Sequence, residues 1–194
     1  MTAKEQFQSL LTGITRNGIE NLAAFLEQSD FYKAPASTKY HLAEPGGLLI
    51  HSLHVHMLLN AKVKMFKLTI PQETILICSL FHDICKANFY GTENRNVKND
   101  ATGQWEKKQI YVVKDQFPMG HGEKSVTLLL QYVHLTEEEM LAIRWHMGAW
   151  TEGMTEYGMR QAYNEAKKRY PLVTLLATAD MEASQVLEVE KEEN

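Results

Sequence analysis

The chain has 194 residues, 44% of them apolar and 23% charged, with a net charge of −4. This suits one globular domain with a sizeable core and excludes a broad electrostatic grip on duplex nucleic acid. The opening Met1-Thr2-Ala3-Lys4-Glu5-Gln6 has no apolar h-region and no apolar run reaches about 18 residues, so neither a signal peptide nor a membrane span is expected and the expected location is cytoplasmic.

Residues 3–12 and 18–28 predict two short amphipathic helices, with Leu10, Leu11, Ile19, Leu22, Phe25 and Leu26 inward. A loop follows from Phe31 to Pro45, carrying Ser37 and the pair Tyr40-His41. Gly46-Gly47 opens a helix to about Phe66 whose inward stripe is Leu48, His51, Ser52, Val55, Leu58, Leu59 and Lys62. His54 borders that stripe, and His56 falls on the opposite side with Asn60 and Lys67.

Thr69-Ile70-Pro71-Gln72-Glu73 predicts a helix start, with Thr69 as a capping candidate, and the helix is expected to end near Asn88. It carries Ser79-Leu80-Phe81-His82-Asp83-Ile84-Cys85-Lys86. Helix physics does not ask for an imidazole, a carboxylate and an ammonium in an apolar helix, and an unpartnered buried charge costs several kcal/mol. A metal ion would supply the partner. Lys86 lies one turn past His82 and would meet an anion there. Cys78 and Cys85 share this helix, about 10 Å apart along its axis, too far for a disulfide. They are expected to be reduced core thiols.

Residues 91–117 change character, with turn formers at Asn94, Asn96 and 99–103 and strand-like residues from Gln109 to Val113. A β-hairpin insertion with its tip near residues 99–103 is predicted, placed where it would act as a lid. A helix over about 121–133 puts His121, Ser125, Leu128 and Leu129 on one face. Thr136-Glu137-Glu138-Glu139 matches a capping box opening a helix to about Met147, with His146 near its end. A Gly-containing loop with Trp150, a polar helix over about 159–168 and a last helix from Pro171 complete the chain. That last helix turns Leu172, Leu175, Leu176, Ala179 and Ala183 inward and carries Asp180 on the same face. The acidic tail from Glu188 to Asn194 is expected to fray.

Five of these helices therefore place a ligand-type side chain on or near an inward face: His51, His82 with Asp83, His121, His146 and Asp180. Any one alone has an ordinary reading as a hydrogen-bonded core residue. Together, each would need a private buried partner.

Residues 40–187 resemble the HD-domain superfamily of metal-dependent phosphohydrolases. The resemblance is carried by Gly46-Gly47-Leu48-Leu49-Ile50-His51-Ser52, by Phe81-His82-Asp83-Ile84-Cys85-Lys86 and by Ala177-Thr178-Ala179-Asp180. Cys85 stands where Gly is common in that family. The resemblance implies a mainly α HD-type bundle over 1–194: N-terminal helices and loop over 1–40, then an HD core over 41–187 with the hairpin over 91–117. It further implies that His51, His82, Asp83 and Asp180 hold one divalent ion, with His121 and His146 added for a second and Asp83 bridging the two. Mn, Fe, Mg, Co, Ni and Zn are not distinguished. The chain departs from the cyclic-di-nucleotide branch, since Trp145-His146-Met147 lacks a paired histidine and no Gly-Tyr-Pro follows.

The expected activity is hydrolysis of a phosphoester of a nucleotide or RNA-end type by metal-activated water. Asp83 and Lys86 would be catalytic, and Lys86, Tyr40, His41, Lys124 and Arg144 would contact a small phosphorylated substrate. For Lys124 and Arg144 the ordinary reading is surface charge. Trp105, Trp145 and Trp150 offer stacking faces or core packing. His54, His56 and His134 are expected to be structural or solvent-facing. The same ligand set would serve a di-iron oxygenase, and a ligand-binding HD module without turnover is a third class.

Overall fold

The computed structural model describes residues 1–98 and 102–189. It is mainly helical, with one two-stranded antiparallel sheet among the described residues. In chain order the helices are α1 (Ala3–Leu11), α2 (Ile19–Gln28), α3 (Gly47–Met65), α4 (Gln72–Phe81), α5 (His121–Leu130), α6 (Glu137–Arg144), α7 (Tyr157–Arg169) and α8 (Pro171–Glu182). Strands β1 (Tyr90–Lys98) and β2 (Trp105–Val113) lie between α4 and α5. Among the described residues no helix is long and apolar enough to cross a membrane.

Helix α3 is the axis of the bundle. Leu48, Leu49, Leu53, Val55, Leu59 and Val63 are buried around most of its circumference, so it is enclosed by α1, α4 and α8 rather than laid on a surface. His56 therefore does not face solvent: it is buried, with Nδ1 3.0 Å from Ser79 Oγ on α4. Helix α4 is buried at every position from Thr74 to Phe81. Its end is fixed by an aromatic cluster in which Phe7 of α1, the inward residue that periodicity did not single out, meets Phe31 at 5.4 Å and Phe81 at 6.0 Å between ring centroids.

Helix α4 stops at Phe81, not near Asn88. His82 closes it, Asp83 turns to φ −106°, ψ 18°, and Ile84–Lys86 continue as a 3₁₀ turn. The His-Asp pair thus sits at a helix terminus, where the backbone leaves α geometry and re-aims the Asp83 side chain. Pro71, not Thr69, is the N-cap residue.

The hairpin pairs Tyr90 with Val113 through to Lys98 with Trp105. Residues 99–101 of its expected tip lie outside the described residues. Most of it is exposed; Tyr90 at its base reaches the protein body. The strands end at Val113, so the stretch from 114 to 120 is connection rather than sheet. Helices α5 and α6 stop at Leu130 and Arg144, short of the expected 133 and 147, each tightening into a turn. Helix α8 begins at Pro171 as expected and runs into a π-helical turn over Ala183–Leu187. The tail is not frayed at its start, because Glu188 is buried; residues 190–194 lie outside the described residues.

One buried ion pair ties the far end together. Glu139, the third residue of the α6 capping box, accepts from Thr136 N–H at 2.8 Å. Its carboxylate also takes Arg16 Nη1 at 2.7 Å, Arg16 Nη2 at 3.1 Å and the Thr74 hydroxyl at 2.8 Å. Burial resists the charge, but the guanidinium, the amide and the hydroxyl together hold the Glu139 carboxyl below its ordinary range. Its contribution is present above the unfolded value and is lost as pH falls through the lower folded value. Glu139→Ala is expected to cost about 3 kcal/mol in urea unfolding at pH 7. The same replacement at the more exposed Glu73 should cost under about 1 kcal/mol. The difference between the two variants should shrink as pH is lowered from about 5 to about 3.

Candidate metal centre

Two close backbone approaches bring the ligand-type residues together. A Cβ on Gly47 would lie 2.1 Å from the Leu42 carbonyl, so only glycine lets the 31–45 loop cross the start of α3 just ahead of His51. A Cβ on Gly122 would lie 2.2 Å from the Arg144 carbonyl, so α5 can press against the end of α6. His121 at the first position of α5 and His146 just past α6 are thereby brought face to face, with ring centroids 5.2 Å apart.

Six side chains converge. His51 Nε2 lies 3.0 Å from Asp180 Oδ1, 3.2 Å from His82 Nε2 and 3.7 Å from Asp83 Oδ2. His82 Nε2 is 3.7 Å from Asp83 Oδ2 and 3.9 Å from Asp180 Oδ1. The other oxygen of Asp83, Oδ1, lies 2.6 Å from His121 Nε2 and 3.3 Å from His146 Nε2. Asp83 therefore divides the cluster, one oxygen facing His51, His82 and Asp180 and the other facing His121 and His146.

Tautomers decide what this cluster can do. His82 Nδ1 donates to the Ser79 carbonyl at 2.9 Å and His146 Nδ1 to the Ile143 carbonyl at 2.6 Å. A carbonyl only accepts, so both rings carry a proton on Nδ1 and, when neutral, aim an Nε2 lone pair at the centre. His51 Nδ1 donates to both oxygens of Glu188, at 3.0 and 3.1 Å. In neutral rings the two Nε2 lone pairs of His51 and His82 face each other across 3.2 Å. His146 Nε2 is buried with no hydrogen-bond partner among the described residues. Lone pairs and carboxylates converging in this way require positive charge between them.

In the absence of a metal, protons supply that charge. Burial opposes charging His51, yet hydrogen bonds to Asp180 and Glu188 outweigh it and hold the ring up at about 9. His121 is likewise raised to about 10, where burial is outweighed by the Cys85 sulfur and the Asp83 carboxylate. Burial pushes His82 down to about 4. The carboxyls resist burial too, but Lys86 and the histidines hold Asp83 well below its ordinary value, and His51 does the same for Asp180. A metal ion satisfies the same lone pairs without protonating them. These buried His, Asp and Cys groups can hold one, and an imidazole-rich donor set suits a first-row transition ion better than Mg.

The remaining expected contacts divide. Lys86 pairs with Asp83, Nζ to Oδ2 2.6 Å, rather than following His82, and lines a cavity over the centre. Tyr40 and His41 line the same cavity, held by Ser37, whose hydroxyl accepts both of their backbone N–H groups. Lys124 pairs with Asp115 beneath the Phe89 ring and does not line that cavity. Arg144 pairs with Glu123 and stacks on Trp145 at 4.2 Å, beside a smaller cleft next to His121. Trp145 is core, whereas Trp105 and Trp150 are exposed.

Two participants were missed by the sequence reading. Cys85 is buried with Sγ 3.5 Å from His121 Nδ1, against the centre rather than in plain core. Glu188 fixes the ring of His51, meets His54 Nδ1 at 2.9 Å and approaches His41 Nε2 at 3.8 Å. Its spacing of two helical turns from Asp180 carried the signal; the acidic tail around it masked that signal.

No family model, no curated protein and no solved structure matches this chain.

A metal must displace the protons on His51 and His121. Both values are raised, so both rings are charged at pH 7, and binding should release about two protons. Affinity should rise with pH until about 9 to 10. Calorimetry in two buffers of different ionisation enthalpy measures the release. The same raised values stabilise the metal-free fold below about pH 6.5 and cease to do so as pH passes the folded values. Glu188→Gln, which removes the charged acceptor behind His51, should weaken metal binding by about 10- to 100-fold, measured by competition with a chelator.

Proposed function

We propose that this chain is a metal-dependent phosphohydrolase of the HD-domain type, acting on a phosphoester of a nucleotide or RNA-end class. The observation that carries the reading is the set of three Nε2 atoms and two carboxylates facing one another at 3.0 to 3.9 Å, with the Nδ1 atom of His51, His82 and His146 tied to a fixed acceptor. Metal-dependent hydrolysis needs ligands pre-set in this way, whose inward nitrogens a metal can take in place of protons. The order Gly-Gly-Leu…His51, His82-Asp83, Asp180 resembles the HD pattern, and the closeness of its His and Asp members supports the reading.

His51, His82, Asp83 and Asp180 would hold one divalent ion, and Asp83, His121 and His146 a second. When bound, such ions would supply a water nucleophile near neutral pH and offset charge on the phosphoryl oxygens. Asp83 orients the groups on its two sides, because each of its oxygens is committed to a different set of neighbours. Lys86 stays charged beside Asp83, and its ammonium faces the cavity where a phosphoryl oxygen would sit. Its position in an otherwise metal-oriented cluster favours phosphate over dioxygen. Glu188 keeps His51 Nδ1 protonated and so keeps Nε2 directed at the centre.

The protein as purified should contain Mn, Fe, Co, Ni or Zn by metal analysis and, with that metal, release phosphate or an alcohol from a phosphoester panel. Asp83→Asn and His121→Ala should each lower turnover by about a thousandfold, roughly 4 kcal/mol, while circular dichroism stays helical. Full activity in both variants would refute the assignment. Iron with oxygen uptake and no phosphoester turnover would assign a di-iron oxygenase instead.

A further inference from the structure

The centre does not open into one pocket. Two cavities meet over it, and both are lined by Tyr40, His41, Met147, Asp180 and Ser184. The first, of about 260 Å³, extends past Asp83 and Lys86 toward Ala36, Tyr90 and Val113. The second, of about 770 Å³, extends past His146 toward Trp150, Tyr163, Ala177 and Met181. Each has metal-ligand residues in its wall and apolar or aromatic residues further out.

A phosphomonoester has one organic substituent and needs one such cavity. The other cavity is several times larger than the roughly 30 Å³ that a water molecule takes up. A phosphodiester has two substituents and fills both. Among the described residues Lys86 is the one lysine or arginine lining either cavity, and it is itself paired with Asp83; Arg144 lines the smaller cleft beside His121. In the larger cavity Trp150 is 77% exposed, and Tyr40 at the shared rim is 79% exposed. The exposed Trp150 ring can stack on a planar heterocycle, the Tyr40 ring carries the Lys39 ammonium over it at 5.0 Å, and the exposed Gln185 amide lies in the same wall.

We infer that the substrate is a phosphodiester linking two organic groups, with a nucleobase of one seated in the larger cavity against Trp150 and the second group in the cavity beside Lys86 and Tyr90. This rests on the phosphohydrolase reading and narrows it. In the reaction, a water oxygen bonds to phosphorus as one P–O ester bond breaks. The electron pair of that bond leaves on the alcohol oxygen, which takes up a proton, and water's other proton is released. The products are an alcohol and a phosphomonoester, and the monoester is not cut further.

Two measurements test this. Tryptophan fluorescence of the metal-free protein is titrated with the dinucleoside monophosphate ApA and with AMP. ApA should quench the signal and bind at least about tenfold tighter than AMP, and Trp150→Ala should weaken ApA by about tenfold. Equal or tighter AMP binding would overturn the inference. The manganese-loaded protein is then given bis(p-nitrophenyl) phosphate and p-nitrophenyl phosphate. Preference for the diester by about tenfold or more in kcat/KM supports the inference. Preference for the monoester overturns it while leaving the phosphohydrolase reading in place. Turnover of neither, with manganese shown to be bound, overturns both.

Discussion

The structure depends on one electrostatic demand. Asp83 is a buried carboxylate with five side chains turned onto it: His82 and Lys86 from its own segment, and His51, His121 and His146 from three others. Burying that charge unaided would cost several kcal/mol. The surrounding helices meet that cost by aiming charged or chargeable nitrogens at both of its oxygens. The result is a centre with too many lone pairs for any arrangement of neutral hydrogen bonds. It holds either protons on His51 and His121 or a metal, and the two compete for the same atoms.

That demand explains the rest of the packing. The absence of a Cβ at Gly47 and Gly122 lets the loop close on α3 and α5 close on α6. The Phe7–Phe31–Phe81 cluster closes α4 from behind, so that the chain turns at Asp83 instead of continuing as helix. At the opposite end, Arg16, Thr74 and Glu139 tie the N-terminal segment to α4 and α6 with a fully satisfied buried pair. Glu188 carries the C-terminal turn back onto α3 and joins it to His51 and His54. The outer walls of the two cavities come in part from elements that carry none of the six converging residues, the hairpin base and the Gly148–Trp150 turn.

Much of this was legible in advance. The helices were found from periodicity and caps, and the Thr136…Glu139 capping box appears as expected. His51, His82, Asp83, His121, His146 and Asp180 were singled out because polar groups on apolar faces violate local rules, and the structure draws all six to one place. The failures share a cause. Lys124 and Arg144 were read chiefly as surface charges, but both are drawn inward to pair with Asp115 and Glu123 through contacts that local pattern does not show. His56 was left as structural or solvent-facing, and it is the structural reading that holds, because α3 is enclosed on most sides. Glu188 looked like solvent-facing tail because composition describes a segment's average, not the one residue that folds back.

Sequence by itself determined the local grammar: where helices start, which faces are apolar, where a hairpin interrupts, and which residues are too polar for their positions. These follow from propensity, periodicity and the cost of burying unpaired charge, all of which act over a few residues. Tertiary structure alone decided that Asp83 presents its two oxygens to two different groups, which nitrogen of each histidine faces inward, and that two cavities rather than one open over the centre. Those features depend on backbone approaches and side-chain partners separated by tens of residues, and no local pattern encodes a distance between them.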